Sequence, residues 1–226
     1  MRSKRDARKQ PHEWKLSSES LHKKSKHVPG SLRIGITGTP GTGKKSVGRE
    51  IARLLGLEFV SVDTVAKKLG ATSFERGLGE YVVDWKKIYG KVPTSGRVIS
   101  GHLLSQIIPP KDLDFVAVLR CSPKVLRRRL SLRKYPPDKI RENLEAELLD
   151  LVSYEALRAY GREKVSEFDT SNTRDPKKVA KQIVETIKGK RKKVFGRIRW
   201  AEKAGKSERN LFEFTKPEEK TDSMSL

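Results

Sequence analysis

Cysteine is nearly absent from this chain of 226 residues, in which Cys121 stands alone. A single cysteine excludes an internal disulfide framework and a cysteine-based zinc site, and it is typical of a reducing, intracellular compartment. Long apolar runs are also missing: no stretch approaches the roughly 18 apolar residues that a membrane helix needs. The basic opening segment MRSKRDARKQPHEWK has no apolar stretch behind it, as a secretory signal would require. We therefore expect a soluble, cytoplasmic protein.

Acidic residues are scarce, with 28 against 50 lysines and arginines, and the formal net charge is +22. A charge of this size opposes self-association and attracts polyanions, so we expect a monomer. Residues 1–31 contain nine basic and three acidic side chains, and residues 188–209 contain ten and two. We expect 1–31 to be a flexible basic arm and 189–226 to be a basic, then polar tail that is largely disordered. The remaining residues, 32–188, form one domain.

Within this domain, short apolar runs alternate with helical patterns. Strands are predicted at 32–37, 57–62, 97–100, 114–120 and 165–169. Strands that alternate with helices indicate an α/β fold, with a five-stranded parallel sheet covered by helices on both faces.

The helical patterns lie between these strands. Proline opens a helix from Pro123 through Arg133 and another over Pro176–Ile187. Apolar spacing predicts one long helix over Asp138–Tyr160, and Asp63 is a plausible cap for a short helix. Residues 71–95 are predicted to be irregular.

The stretch GTPGTGKKS between the first strand and the first helix is the most informative in the chain. It follows the pattern G-x-x-x-x-G-K, in which backbone N–H groups converge on phosphate oxygens at a helix N-terminus. The predicted phosphate-binding residues are Gly38, Gly41, Thr42, Gly43 and Lys44. We expect the Lys44 ammonium to neutralise the β- and γ-phosphate oxygens of a nucleotide.

The residue after Lys44 departs from the usual pattern, which places a magnesium-binding serine or threonine there. This chain has Lys45 there, and the hydroxyl follows one place later at Ser46. Adenylate kinases have the similar spacing G-x-P-G-x-G-K-G-T, with a late hydroxyl. We expect Ser46 and water to hold Mg²⁺ and Lys45, at the edge of the nucleotide site, to point outward.

Several further motifs extend the resemblance along the domain. They are TGTPGTGK (37–44), VVD (82–84), GH (101–102), VLR (118–120), RL-x-x-R-x-Y (129–135), KIREN-x-x-AE (139–147) and DTSN-x-R-x-P (169–176). Together they resemble the adenylate kinase isoenzyme 6 family, the archaeal and nuclear kinases linked to small ribosomal subunit assembly.

The resemblance implies a P-loop nucleoside monophosphate kinase-like fold. It implies a short monophosphate-binding segment at about 61–84 and a short lid at about 132–142. It also places Thr170 and Ser171 near the adenine of the donor nucleotide, although an ordinary capping turn would explain these two residues equally well.

Two arginines at the base of the implied lid, Arg129 and Arg133, lie four positions apart on one helix face. The resemblance implies that they contact the nucleotide and the migrating phosphate, and the planar guanidinium group suits phosphate oxygens. The alternative is that they belong to a solvated basic face.

After the third strand the family carries Asp-x-His, whereas this chain has Ser100-Gly101-His102. The histidine is kept, and we include His102 in the nucleotide site. The carboxylate that would bind Mg²⁺ is missing, so magnesium binding is expected to be weak or to use Asp63 or Asp84.

These features predict an enzyme that transfers the γ-phosphate of ATP to AMP with Mg²⁺, giving ADP, with weak ATPase activity. One alternative is a nucleotide-gated ribosome assembly factor with vestigial catalysis, and another is a P-loop kinase with a different small acceptor. The resemblance adds a small-subunit ribosomal protein and rRNA as partners. Phe195 and Trp200, within the basic tail, are candidates for stacking on RNA bases.

Overall fold

The computed structural model describes residues 31–75, 80–172 and 175–203. All but Ser31 of the predicted N-terminal arm, and the last part of the tail from residue 204, lie outside these ranges. The described strands are Arg33–Thr37 (β1), Glu58–Ser61 (β2), Thr72–Glu75 (β3), Glu80–Val83 (β4), Arg97–Ser100 (β5), Phe115–Arg120 (β6) and Val165–Asp169 (β7).

The helices of the described residues follow individual strands singly or in groups. They are Lys44–Leu55 (α1), Val62–Lys68 (α2), Trp85–Ile88 (α3), Leu104–Ile107 (α4), Pro123–Leu132 (α5), Pro137–Leu148 (α6), Leu151–Tyr160 (α7), Pro176–Ile187 (α8) and Trp200–Lys203 (α9), with a 3₁₀ turn at Pro110–Asp112. Prolines at the first turns of α5, α6 and α8 fit the helix start, where a backbone N–H has no intrahelical partner.

Five of the strands form one parallel sheet in the order β2-β5-β1-β6-β7. The predicted five-stranded α/β fold is therefore confirmed. Strands β2 and β5 lie on one side of β1, and strands β6 and β7 lie on the other side. Parallel sheets of this kind bind ligands outside the carboxyl end of the strand at which the order reverses. This strand is β1, and the glycine-rich loop follows it.

Two hydrophobic cores lie on the two faces of the sheet. Ile36 and Ile51 belong to the core beneath α1 and α8, whereas Val116 and Tyr160 belong to the core beneath α4 and α7. The six residues of β6 are all buried, as expected for a central strand covered on both faces.

The helix predicted over Asp138–Tyr160 is divided into α6 and α7, so that prediction was wrong. The break lies at Asp150, whose φ of 55° is left-handed. Apolar residues continue on the same spacing through the break, so periodicity alone does not reveal it. The break brings the Asp150 carboxylate and the Glu147 carbonyl to the Arg120 guanidinium, a contact that one straight helix would not offer.

Residues 71–95 contain more regular structure than predicted. Strands β3 and β4 pair antiparallel, with Thr72 opposite Val83. The pattern of these short strands is weak because they form a separate two-stranded sheet. The helix that Asp63 was predicted to cap begins at Val62, so Asp63 lies in its first turn and Ser61 precedes it.

The first part of the predicted tail packs against the domain. Val194 accepts a hydrogen bond from the Glu167 backbone of β7, at 2.7 Å, and Gly196 donates to the Glu167 carboxylate, at 2.8 Å. Trp200 is only 8% exposed. The structure differs here from the predicted boundary at 188, because the edge of β7 offers backbone partners and α6 offers a surface for the indole. A buried Trp200 is not placed to stack on RNA.

Candidate functional site

Three glycines shape the loop between β1 and α1. Gly38, Gly41 and Gly43 have φ values of 141°, 95° and 95°, which side chains other than glycine rarely adopt. Helix α1 begins directly after Gly43, which provides no side-chain cap. The first N–H groups of the helix have no acceptor within it. Such a loop presents N–H donors and the positive end of the helix dipole to an anion.

The glycines are required for different reasons, and this gives a testable prediction. A Cβ at Gly38 would lie 2.4 Å from the Leu119 carbonyl oxygen, whereas a Cβ at Gly43 would meet nothing within 4 Å. We expect Gly38→Ala to lower the free energy of unfolding by about 3 kcal/mol or more, and Gly43→Ala by about 1–2 kcal/mol from backbone strain alone. Urea denaturation of the two variants measures this difference, and equal losses would contradict it.

The Lys44 side chain contacts the backbone of the loop that precedes it. Its ammonium donates to the carbonyl oxygens of Gly38 and Thr39, at 2.6 and 3.0 Å. Burial disfavours the charged form and lowers the pKa of Lys44 to about 7, although Asp63 and Glu147 act in the opposite direction. This pKa lies below that of an unfolded chain, so the ammonium costs stability at neutral pH, and the cost is relieved as the pH rises from about 7 toward 10.5.

A bound polyphosphate should reverse this shift, because its charge favours the ammonium. We therefore expect ATP binding to take up about half a proton at pH 7 and close to one proton above about pH 8, and the affinity to fall about tenfold per pH unit between about pH 8 and 9. Titration calorimetry in EDTA, in buffers of different ionisation enthalpy, measures both quantities. Lys44→Ala should bind weakly without this pH dependence, and a flat profile for the unaltered protein would refute the assignment.

Lys45 does not point freely outward as the sequence suggests. Its ammonium forms an ion pair with Asp63 in the first turn of α2, at 2.7 Å. Burial alone would raise the pKa of Asp63, but Lys45 and the nearby His102 lower it below its usual value. His102 itself is exposed in the loop after β5, and its carbonyl accepts a hydrogen bond from Thr37 at 3.3 Å.

These residues do not fit a conventional magnesium site. The Asp63 carboxylate is already paired with Lys45, and the position of the second expected carboxylate is held by Ser100, which is 2% exposed. Among the residues that the structure describes, no three His, Cys, Asp or Glu side chains form a group that could hold a metal ion. Ser46, the predicted ligand, lines a cavity beside the loop and remains a prediction.

This cavity, of about 340 Å³, is the candidate nucleotide site. Its wall joins the loop and α1 to the end of α5 and the start of α8. The lining residues are Gly41, Thr42, Gly43, Ser46, Val47, Arg129, Leu132, Arg133, Thr170, Asp175, Pro176 and Val179. Seven predicted site residues therefore meet in one place, while His102 and Lys45 lie beside Asp63.

Arg129 and Arg133, at the end of α5, differ in how their side chains are held. Arg129 donates to the hydroxyl and the carbonyl oxygen of Thr170, at 3.2 and 2.7 Å. These contacts hold its guanidinium against Thr170, and both residues line the cavity. Arg133 is exposed at the end of α5, and its charge contributes to lowering the pKa of Lys44. Both arginines line the cavity.

Ser171 has a local structural role in this conformation. Its backbone N–H donates to the Asp169 carboxylate at 2.7 Å, and its hydroxyl accepts from the Ser122 backbone N–H at 2.7 Å. These contacts form a local turn, and the contact of Ser171 with a donor adenine stays a prediction. Thr170, by contrast, is part of the cavity wall.

Sequence reasoning missed Glu147 in α6, which supports the loop from behind. Its carboxylate accepts from the hydroxyl of Thr39, at 2.5 Å, and from the side chains of Arg120 and Trp200, at 2.8 and 3.2 Å. Glu147 is 2% exposed. The motif KIREN-x-x-AE includes this residue, but its partners are far away in the sequence.

The sheet order and the phosphate-binding loop define a P-loop kinase fold. A family model described as "AAA domain" matches residues 34–150. Two archaeal proteins called "Putative adenylate kinase" are similar over most of the chain. The one from Methanocaldococcus jannaschii is 33% identical over 76% of this chain and 94% of its own length. The one from Thermococcus onnurineus is 36% identical over 76% and 93%.

This chain therefore belongs to the AAA domain family that the model describes, and to the same family as these archaeal proteins. Among solved structures it is similar to "Shikimate kinase from Acinetobacter baumannii in complex with shikimate", with a TM-score of 0.49 and 20% identity, over 73% of this chain and 97% of that one. Within the described residues, none of the helices is long and apolar enough to cross a membrane.

Proposed function

We propose that this protein transfers the γ-phosphoryl group of ATP to AMP and produces two ADP. The main support is a cavity at the carboxyl end of β1, which has the phosphate-binding loop on one wall and Arg129 and Arg133 on another. Phosphoryl transfer depends on positioning and on neutralising charge spread over the transferring group. The names of the archaeal relatives support adenylate as substrate.

In this reaction an oxygen of the AMP phosphate forms a bond to the γ-phosphorus of ATP. The bond from that phosphorus to the β–γ bridging oxygen breaks, and its electron pair stays with the departing ADP. Lys44 and the loop N–H groups hold the β- and γ-phosphate oxygens. Arg129, fixed by Thr170, and Arg133 stabilise the charge on the transferring group.

The acceptor distinguishes this activity from others. ADP formation should rise strongly when AMP is added to ATP, and the bisubstrate mimic diadenosine pentaphosphate should bind far more tightly than either nucleotide, because it fills both pockets. Turnover that does not depend on AMP would leave only a weak ATPase. Turnover with a different acceptor in a screen of small phosphates and alcohols would replace AMP as the substrate.

A second candidate function is a nucleotide-gated assembly factor in which binding and release matter and catalysis is vestigial. The observation that favours it is the pair Lys45–Asp63 together with Ser100, since these occupy positions expected to bind magnesium. Tight ATP binding with no turnover, with or without AMP, would support this function over the kinase.

For the partners, we propose rRNA and a small-subunit ribosomal protein. Exposed cations support a nucleic acid: Arg127 and Arg128 lie on the exposed side of α5, and Lys190 and Lys192 lie in the C-terminal segment. Binding of an rRNA fragment should weaken steeply with salt, because each phosphate contact releases counterions. Binding that does not respond to salt would argue against this surface.

A further inference from the structure

The position directly after Lys44 is where P-loop sites usually place a hydroxyl ligand for magnesium. In this chain that position is occupied by Lys45, and the structure shows where its ammonium lies. The Lys45 ammonium is 2.7 Å from the Asp63 carboxylate. Helix α1 carries Lys45 at its N-terminal end, and α2 carries Asp63 in its first turn, so two elements that meet at the carboxyl edge of the sheet fix the pair.

The strands that end at this edge show why the pair forms here. Ser61 at the end of β2 lies opposite Ser100 at the end of β5, which lies opposite Ile36 of β1. Asp63 follows Ser61 by two residues, and the Ser61 hydroxyl is 3.4 Å from its carboxylate. Asp63 thus lies at the same edge of the sheet as the loop, and its carboxylate is paired with Lys45.

The electrostatics of the loop agree with this geometry. Asp63 favours the charged form of Lys44, whereas Lys45 and Arg133 oppose it. The geometry gives the same picture for Lys45, which follows Lys44 directly in the chain and pairs with Asp63. A divalent cation placed beside Asp63 would have to displace the Lys45 ammonium or lie next to it, and the repulsion between them would be only partly screened, since the two side chains are 54% and 49% exposed.

We propose that the Lys45 ammonium, held by Asp63, takes the place of the divalent cation at the phosphate end of the site, so that this protein binds metal-free nucleoside triphosphate. This inference rests on the proposed nucleotide site. In this arrangement the cation belongs to the chain itself and its position is fixed by the Asp63 carboxylate. The site then needs no second carboxylate at position 100.

The test compares the dissociation constants of ATP, by titration calorimetry, in excess Mg²⁺ and in EDTA. The unaltered protein should bind ATP in EDTA at least as tightly as in Mg²⁺. Lys45→Thr restores the hydroxyl of the usual pattern and frees Asp63, so its ATP affinity should become about tenfold tighter in Mg²⁺ than in EDTA. Lys45→Met removes the charge without adding a ligand, so its affinity in EDTA should fall about tenfold.

A matched control is Arg53→Thr, which removes one cation from the same helix. Arg53 forms an exposed ion pair with Glu50 near the other end of α1, so its loss should leave both constants within about twofold. Circular dichroism of each variant checks that it is folded, and the comparison on the unaltered protein depends on no variant.

Two results would overturn the inference. One is ATP binding by the unaltered protein that is tenfold or more tighter in Mg²⁺ than in EDTA, and the other is unchanged affinity of Lys45→Met in EDTA. Either would leave the nucleotide site and the proposed kinase in place. A protein that binds ATP under neither condition would refute the proposed function and this inference together.

Discussion

Replacement of Lys44 by alanine is expected to lower kcat/KM for ADP formation about 100- to 1000-fold. In the proposed complex the Lys44 ammonium contacts phosphate oxygens in a site that contains little water. The loss of one such donor typically costs about 3–4 kcal/mol of transition-state stabilisation. The same variant should lose most of its ATP affinity, since the loop would keep only its N–H groups as donors. Steady-state kinetics with ATP and AMP, and calorimetry with ATP, measure the two effects.

The stability of this variant separates function from folding. The Lys44 ammonium donates to two loop carbonyls, but burial lowers its pKa to about 7, so the charged form is a net cost to stability near neutral pH. We therefore expect the free energy of unfolding of Lys44→Ala to be at least as high as that of the unaltered protein. Lys181→Ala is a suitable control, since this lysine is exposed on α8. Full activity of Lys44→Ala would remove Lys44 from the site.

Replacement of Arg120 by leucine is expected to destabilise the domain by about 3–5 kcal/mol, because it would leave buried carboxylates without their cation. Arg120 is 1% exposed, and its guanidinium pairs with Glu147 and Glu167, at 2.8 and 2.9 Å, and with Asp150. At roughly 2–4 °C per kcal/mol for a chain of this size, the melting temperature should fall by about 10 °C. Urea and thermal denaturation measure the change.

An exposed arginine gives the matched control. Arg53 of α1 forms a surface pair with Glu50 at 3.0 Å, and such pairs contribute about 1 kcal/mol or less. Arg53→Leu should therefore melt close to the unaltered protein. If Arg120→Leu lost less than about 1 kcal/mol, the buried network would be a consequence of folding and not a cause of stability.

This network also connects the loop to the C-terminal segment. Glu147 accepts hydrogen bonds from Thr39 of the loop and from Trp200 of the segment, and Glu167 accepts one from Gly196. A buried polar group without partners is costly, so each carboxylate fixes the elements that satisfy it. The loop therefore rests on a support that begins more than 100 positions away in the sequence.

Local patterns predicted the elements that depend on local causes. The helix over Pro176–Ile187 was predicted with the bounds that the structure gives, because a proline start and apolar spacing are properties of the segment alone. The helix break at Asp150 was not predicted. It depends on Arg120, which lies on β6 and 30 positions away, and no pattern in the helix itself contains that information.

The candidate site also has parts that the sequence predicted and parts that it did not. The loop and its lysine follow from glycines that are adjacent in the chain, and the cavity brings together seven of the residues predicted from motifs. The direction of Lys45 does not follow, since a lysine side chain can reach several places from one backbone position. Only the packing of α2 against β2 puts Asp63 within 2.7 Å of its ammonium.

The sequence by itself determined a parallel α/β domain with a phosphate-binding loop after its first strand, because alternating apolar runs and a run of glycines constrain the backbone locally. The tertiary structure alone decided that Lys45 pairs with Asp63, that Glu147 supports Thr39, and that Trp200 is buried. Each of these contacts joins residues that are distant in the chain, and their energies depend on burial and on geometry that exist only once the elements have packed.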